Sequence, residues 1–166
     1  MIMAPKNILI LCTGNSARSI LAEAMINHRG QGRFCGYSAG SQPKATPHPM
    51  ALELLRQMKL PTDNLRSKSW GVFAAPDAPR LDFIFTVCDN AAGEVCPVWP
   101  GHPATAHWGL DDPAADTGTP DQQIQAFRTA FHILDLRIAA FMALALENLS
   151  PNELKRELTR IGEIVP

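Results

Sequence analysis

The chain has 166 residues, with 15 Lys and Arg against 16 Asp and Glu and a formal net charge of -1. That length predicts one domain with a buried core, and the near-zero charge excludes a polybasic nucleic-acid arm as the main function. No apolar run reaches the ~18 residues that span a bilayer, and the first residues do not form a signal peptide. We therefore expect a cytoplasmic protein with no membrane or nucleic-acid partner.

Apolar runs between proline-rich loops predict strands that alternate with helices. The strand-like runs cover residues 7–11, 34–39, 82–87 and 104–108. The helix-like segments cover residues 16–29 and 49–58, a third segment opening at Thr119-Pro120-Asp121, and a last one opening with a capping box at Ser150. This order predicts a three-layer α/β fold with a small parallel sheet. We expect one domain over residues 1–166, with an extra C-terminal helix at about residues 150–162.

In such sheets the functional site lies beyond the carboxyl ends of the strands. We therefore expect the functional residues in the loops that follow Leu11, Val87 and Trp108. Four cysteines and five histidines show no metal-ligand spacing, so no metal site is predicted. Cys35 lies inside an apolar strand and is expected to be a small buried hydrophobic residue.

The loop after the first strand carries the pattern C-x5-R followed by Ser. It reads Cys12-Thr13-Gly14-Asn15-Ser16-Ala17-Arg18-Ser19. A turn between a strand and a helix directs several backbone N–H groups into one concavity, which binds a tetrahedral oxyanion. Gly14 would allow the loop backbone to adopt conformations that a side chain would forbid. The planar guanidinium of Arg18 would bind two oxygens of the oxyanion.

Cys12 lies at the base of this concavity. The positive field there is expected to lower the pKa of Cys12, and a hydrogen bond from Ser19 would support the thiolate. Such a thiolate is a nucleophile facing the bound oxyanion. The alternative is a buried structural cysteine and an arginine that points to solvent.

An acidic residue follows the fourth predicted strand. Asp112 stands directly before Pro113, which favours an extended backbone at Asp112. A carboxylic acid in that loop could protonate an oxygen leaving the site. Asp111 is the competing assignment, and a solvated acidic turn is the alternative to both.

The segment from Cys12 to Ser19 resembles the phosphate-binding loop of the low-molecular-weight protein tyrosine phosphatase superfamily. The resemblance covers about residues 7–148 and includes Ser38-Ala39-Gly40 and Asp112-Pro113. It implies a four-stranded parallel sheet flanked by helices. It also implies Cys12 as the nucleophile, Arg18 as the oxyanion clamp and Asp112, the residue before the proline, as the general acid.

The remaining cysteines resemble those of the arsenate-reductase branch of this superfamily. Reduction of arsenate consumes two electrons, which thiols can supply. The resemblance implies that Cys88, at the end of the third strand, attacks the cysteine–arsenic adduct and that Cys96 draws the disulfide outward. The branch that cleaves phosphotyrosine tends to carry aromatic residues where this chain has residues 114–115 and 41–44, which contain none.

The resemblance implies no organic cofactor but a thiol reductant. Seven residues separate Cys88 from Cys96, one more than is usual among thioredoxin-coupled members, so the donor stays open between thioredoxin and glutathione with glutaredoxin. Some members bind a potassium ion near the loop. Asn15, Glu23 and Ser38 match three of its ligands, whereas residues 67–71 lack the expected Asp.

The sequence therefore predicts an enzyme that reduces arsenate to arsenite through a cysteine–arsenic adduct and a disulfide relay. One alternative is a phosphatase that uses Cys12, Arg18 and Asp112 without redox chemistry. A second alternative is a regulatory module that binds phosphate or arsenate without turnover.

Overall fold

The structure is a computed structural model that describes residues 4–88, 99, 101–115 and 117–166, so Cys96 lies outside the described residues. Four strands form one parallel sheet in the order β2-β1-β3-β4. They are β1 (Lys6–Cys12), β2 (Phe34–Gly40), β3 (Phe83–Thr86) and β4 (Ala104–His107). The predicted α/β class and the four-stranded parallel sheet are confirmed.

Four α-helices occur in the described part of the chain. They are α1 (Arg18–Gly30), α2 (Pro49–Gln57), α3 (Pro120–Met142) and α4 (Pro151–Ile161). Ser150 forms the predicted capping box of α4, and Thr119 caps α3 as expected, with a capping box to Gln122 that was not predicted. The first helix begins at Arg18 rather than at residue 16, because residues 13–17 form the loop of the site. Within the described residues, no helix has the length and hydropathy needed to cross a membrane.

The core lies on both faces of β1, whose residues 8–11 are buried. Ile8 and Ile10 face the larger cluster, which contains residues of α1 and α3. Leu9 and Leu11 face a smaller cluster closed by Phe73, from a 3-10 turn over Trp70–Ala74 that the sequence analysis missed. Cys35 on β2 is half-buried rather than buried as expected.

The last helix closes the edge of the sheet next to β4. The Trp108 ring stacks on Phe85 with 3.9 Å between centroids, and its indole N–H donates to the carbonyl of Leu158 on α4 at 3.0 Å. Burying side chains of this size stabilises the fold by about 1.5–3 kcal/mol each. Because the sheet is parallel, the carboxyl ends of β1, β3 and β4 lie at the same edge of the sheet, as expected from the sequence.

Candidate active site

The carbonyl groups of residues 13–16 all point away from the site. The backbone N–H groups of Gln42, Lys44 and His48 donate to residues 13, 14 and 16 at 3.0, 2.9 and 2.8 Å. The Ser67 hydroxyl donates to the carbonyl of residue 15 at 2.6 Å. In a trans peptide the next N–H points opposite to the carbonyl, and the described chain has no cis peptide bond. The N–H groups of residues 14–17 therefore point inward, as an oxyanion cradle requires.

The left-handed residue of this loop is Asn15, not Gly14. Asn15 has φ 45° and a fully buried side chain, and Asn tolerates this conformation better than most residues. Its amide donates to the hydroxyl of Ser19 at 2.9 Å, and its side-chain oxygen accepts from the N–H of Lys68 at 2.9 Å. The Ser19 hydroxyl thus supports Asn15, a contact that the sequence analysis did not predict.

The end of β2 presses against the loop backbone. A Cβ atom on Gly40 would overlap the carbonyl oxygen of Thr13 and lie 2.8 Å from that of Cys12. Backbone atoms cannot move aside as a flexible side chain can. Position 40 therefore requires glycine, which explains the glycine that ends the Ser-Ala-Gly sequence of β2.

Arg18 crosses from α1 to the loop after β4. Its Nη1 donates to the carbonyl of Leu110 at 2.8 Å and, at 3.5 Å, to that of Val87. Its Nη2 lies 3.7 Å from Oδ2 of Asp112. Nε of Arg18 is buried and has no hydrogen-bond partner among the described residues. A buried donor without a partner is costly, and an oxyanion in the loop would supply the acceptor.

The predicted acid lies beside this arginine. Asp112 rather than Asp111 forms the ion pair with Arg18. Oδ1 of Asp112 accepts from the N–H of Ala114 at 2.9 Å, and its side chain is 42% exposed. The carboxyl group is thus held at the solvent-exposed rim of the site.

The second thiol touches the loop. The Thr13 N–H donates to Sγ of Cys88 at 3.3 Å, and the Thr13 hydroxyl lies 3.5 Å from the same sulfur. Cys12 and Cys88 are both buried free thiols, and Cys88 lies close enough to Cys12 to raise the pKa of Cys12. The structure therefore brings four of the predicted residues together: Cys12, Arg18, Cys88 and Asp112. The fifth, Cys96, lies outside the described residues.

The pKa of Cys12 is raised, not lowered as the sequence analysis expected. The hydrogen bond with Cys88 is the largest cause, and burial of the thiol adds to it. The Arg18 charge and the Gly14 N–H act in the opposite direction but do not offset the rise. The pattern C-x5-R contains the groups that stabilise a thiolate at Cys12. It does not contain Cys88, the distant thiol that raises the pKa of Cys12.

The sequence model of a family described as low molecular weight phosphotyrosine protein phosphatase matches residues 7–159. The chain belongs to this family. A protein named arsenate reductase from Shouchella clausii is 32% identical over 139 residues, which cover 84% of this chain and 96% of that protein. The protein of the same name from Bacillus subtilis is 30% identical over 139 residues, which again cover 84% of this chain and 96% of that protein.

A solved structure of this phosphatase-like fold comes from Corynebacterium glutamicum and is described as a thioredoxin-dependent arsenate reductase. It matches with a TM-score of 0.62 and 22% identity, over 86% of this chain and 62% of that one. At that identity the match supports the shared fold alone.

A lysine lies where the family resemblance implied potassium. Nζ of Lys68 donates to the Ser38 carbonyl at 2.9 Å and lies 3.6 Å from a carboxylate oxygen of Glu23. The Ser38 hydroxyl donates to the same oxygen at 2.6 Å, and Asn15 is engaged by the Lys68 N–H. Burial raises the pKa of Glu23 and lowers that of Lys68, while their pairing opposes both shifts. The three expected ligands are thus occupied by Lys68 and do not fit a potassium ion.

Two contributions to the site were not predicted from the sequence. Lys68 stands between two serines in a segment without helix or strand periodicity. The one available signal was that this segment lacks the Asp expected as a potassium ligand. The Leu110 carbonyl that holds Arg18 is a backbone group and leaves no trace in the sequence. No cluster of metal-ligating side chains occurs in the described ranges.

Removing Cys88 should lower the pKa of Cys12. In Cys88→Ala the hydrogen bond and the charge that raise this pKa are gone, while Arg18 and the Gly14 N–H remain. Alkylation of Cys12 by iodoacetamide, followed against pH by mass spectrometry, should therefore begin at lower pH than in the wild type. Cys35→Ala is the matched control and should leave the profile unchanged. An unchanged profile in Cys88→Ala would show that the two thiols do not share a proton.

Replacing Arg18 by lysine should weaken oxyanion binding strongly. An ammonium group cannot reach the Leu110 carbonyl, Asp112 and a bound oxyanion together with the fixed geometry of a guanidinium. Losing charge-assisted hydrogen bonds worth about 2–3 kcal/mol predicts roughly a hundredfold weaker binding. Phosphate protection of Cys12 against alkylation measures this affinity. Wild-type protection in Arg18→Lys would mean that the guanidinium does not contact the oxyanion.

Proposed function

We propose that this protein reduces arsenate to arsenite, with Cys12 and Cys88 as the two thiols that supply the electrons. One observation carries the proposal: the Cys88 sulfur accepts from the N–H of Thr13, the residue next to Cys12, and Cys88 lies close enough to Cys12 to raise its pKa. Ester hydrolysis needs a nucleophile, a clamp and an acid, but it has no use for a second thiol in this place. The relatives named arsenate reductase, at 30–32% identity, support the same choice.

Arsenate binds in the loop of residues 13–17. It is tetrahedral and anionic like phosphate, so the inward N–H groups and the start of α1 favour it. The unpaired Nε of Arg18 donates to one of its oxygens. Because Cys12 is protonated before substrate binds, its proton passes to the incoming oxyanion, which is the nearest base.

The first chemical step forms a bond between Cys12 and arsenic. The Cys12 thiolate attacks, and an arsenic–oxygen bond breaks. Asp112 takes up a proton from solvent at the rim and passes it to the departing hydroxyl group, which leaves as water. Arg18 stabilises the charge on the remaining oxygens and keeps Asp112 at the rim through their ion pair.

The second step transfers the electrons. Cys88 gives its proton to an oxygen on arsenic, and the resulting thiolate attacks Sγ of Cys12. The sulfur–arsenic bond breaks, and its electron pair stays on arsenic. Arsenic(V) becomes arsenic(III), and the two thiols become one disulfide, so two electrons are balanced. The N–H of Thr13, which donates to the Cys88 sulfur, stabilises that thiolate once Cys12 no longer shares a proton with it.

An external dithiol then restores the enzyme. The name of the Corynebacterium glutamicum structure favours thioredoxin, and glutathione with glutaredoxin is the other donor. We assign Cys96 the role of attacking Cys88, so that the disulfide moves outward before it is reduced. Arsenite release measured with both reducing systems in parallel identifies the donor.

We also infer that the enzyme works without potassium, because the Lys68 ammonium takes up the oxygens expected to bind the ion. Lys68 neutralises Glu23 and holds Asn15 through its backbone N–H. The Lys68 ammonium therefore pairs with Glu23, while the Lys68 backbone N–H holds the left-handed residue of the loop.

The change Cys88→Ser separates reduction from hydrolysis. Arsenate turnover should be lost with either reducing system, because the second electron-donating thiol is gone. Slow hydrolysis of para-nitrophenyl phosphate should survive, since it needs only Cys12, Arg18, Asp112 and water. Cys35→Ser is the control and should retain both activities. Undiminished arsenate reduction in Cys88→Ser would refute the relay. Rapid ester hydrolysis without arsenite release by the wild type would favour the phosphatase alternative.

Exchange of potassium for sodium at constant ionic strength should leave both turnover and Tm unchanged. An ion that bound the native state would raise Tm by mass action. Lys68→Ala is the comparison: it should lower Tm in both salts, because the buried Glu23 loses its cationic partner. A rise in wild-type Tm or activity specific to potassium would contradict the inferred role of Lys68.

A further inference from the structure

A buried arginine on α3 reaches the loop that carries the acid. We call residues 108–112 the acid loop. Nη1 of Arg137 donates to the carbonyl of Trp108 at 2.7 Å and to that of Gly109 at 3.1 Å. Its Nε donates to the carbonyl of Ile164, beyond α4, at 3.1 Å. Arg137 is 3% exposed, so these main-chain contacts lie within the protein rather than on its surface.

Side-chain packing alone does not hold the far end of this loop. A groove of about 470 Å³ separates residues 109–113 from α3 and is also lined by Val165 of the C-terminal tail. Asp112 itself is exposed at the rim. Trp108 and Leu110 pack on the core, and Arg18 binds the Leu110 carbonyl and pairs with Asp112. Main-chain contacts complete the support: Trp108 N–H to Thr86 at 2.7 Å, Leu110 N–H to Val87 at 3.2 Å, and the carbonyls held by Arg137.

The C-terminal tail takes part in the same arrangement. The match to the Shouchella clausii protein covers 96% of that chain but 84% of this one, so this chain has residues that the relative lacks. The family model ends at residue 159, before the tail residue Ile164 that Arg137 binds. Trp108 is also tied to α4 through Leu158. A single guanidinium therefore connects a terminal segment outside the family match to the acid loop.

We propose that Arg137 is a positioning residue for the general acid: by binding the carbonyls of Trp108, Gly109 and Ile164, it fixes the acid loop so that Asp112 meets the leaving oxygen. This inference rests on the proposed role of Asp112. Arg137 acts through the backbone of the loop and touches no substrate. Its fixed fork of donors suits several carbonyls at once, which a lysine cannot match.

A double-mutant cycle with Asp112 tests the inference. The rate measured is the loss of thiols in a single turnover with arsenate, which requires no reducing partner. Asp112→Asn should lower this rate by about a hundredfold, as expected for a lost general acid. Arg137→Met should lower it about tenfold through misplacement of the acid. In the Asp112→Asn background, Arg137→Met should change the rate little, because no acid remains to be positioned.

The matched control is Arg33→Met. Arg33 also donates to a backbone carbonyl, that of Met142 at 2.9 Å, but it does not contact the acid loop. It should leave the rate unchanged. Arg137→Lys should recover part of the rate lost in Arg137→Met, because it keeps the charge and some of the donors. If Arg137→Met does not fold, Arg137→Lys takes its place in the cycle, with a smaller expected loss.

Two results would overturn the inference. The first is an unchanged rate in folded Arg137→Met. The second is a loss of equal size with and without Asp112, which would show a purely structural role. If Asp112→Asn itself has no effect, the proposed acid is wrong and this inference fails with it. If the wild type loses no thiols with arsenate, the reductase proposal fails, and the same cycle measured on para-nitrophenyl phosphate decides the role of Arg137.

Discussion

The parallel pairing of β1 with β3 determines where the reactive side chains lie. Leu11 pairs with Thr86, and the Val87 N–H donates to the Leu11 carbonyl at 3.0 Å, so the two strands end side by side. The next residues, Cys12 and Cys88, consequently lie beside each other, and the Cys88 sulfur accepts from the N–H of Thr13. A buried ladder of this kind tolerates little slippage, because a shift of one residue would turn the buried side chains of β1 to the wrong face.

The polar groups of the site are mostly bound to one another. Arg18 pairs with Asp112 and the Leu110 carbonyl, Cys12 shares a hydrogen bond with Cys88, and Glu23 is neutralised by Lys68 in the layer below. Such contacts offset the cost of taking polar groups out of water. An oxyanion that binds here has to replace few of these contacts, because the buried Nε of Arg18 is already oriented and lacks a partner. The site is therefore organised for an anion at small conformational cost.

Local patterns predicted the fold well, because β1 and β3 are largely apolar runs and the last two helices begin with recognisable N-caps. The same patterns placed Cys12, Arg18 and Asp112, since Cys12 ends a strand, Arg18 follows it at the fixed C-x5-R spacing, and Asp112 precedes a proline. The protonation of Cys12 could not be predicted, because it depends on a thiol 76 positions away that only the sheet order brings close. The roles of Lys68 and Arg137 were equally hidden, because both act on backbone carbonyls of distant segments.

Contact between the two thiols also bears on damage by peroxides. Oxidation of Cys12 would first give a sulfenic acid, which condenses with a neighbouring thiol faster than it is oxidised further when that thiol is close. Cys88 already touches Cys12, so the product would be the same disulfide that arsenate produces. A reductant that completes the arsenate cycle would therefore also rescue the oxidised protein, and the nucleophile would be protected from irreversible oxidation to the sulfinic acid.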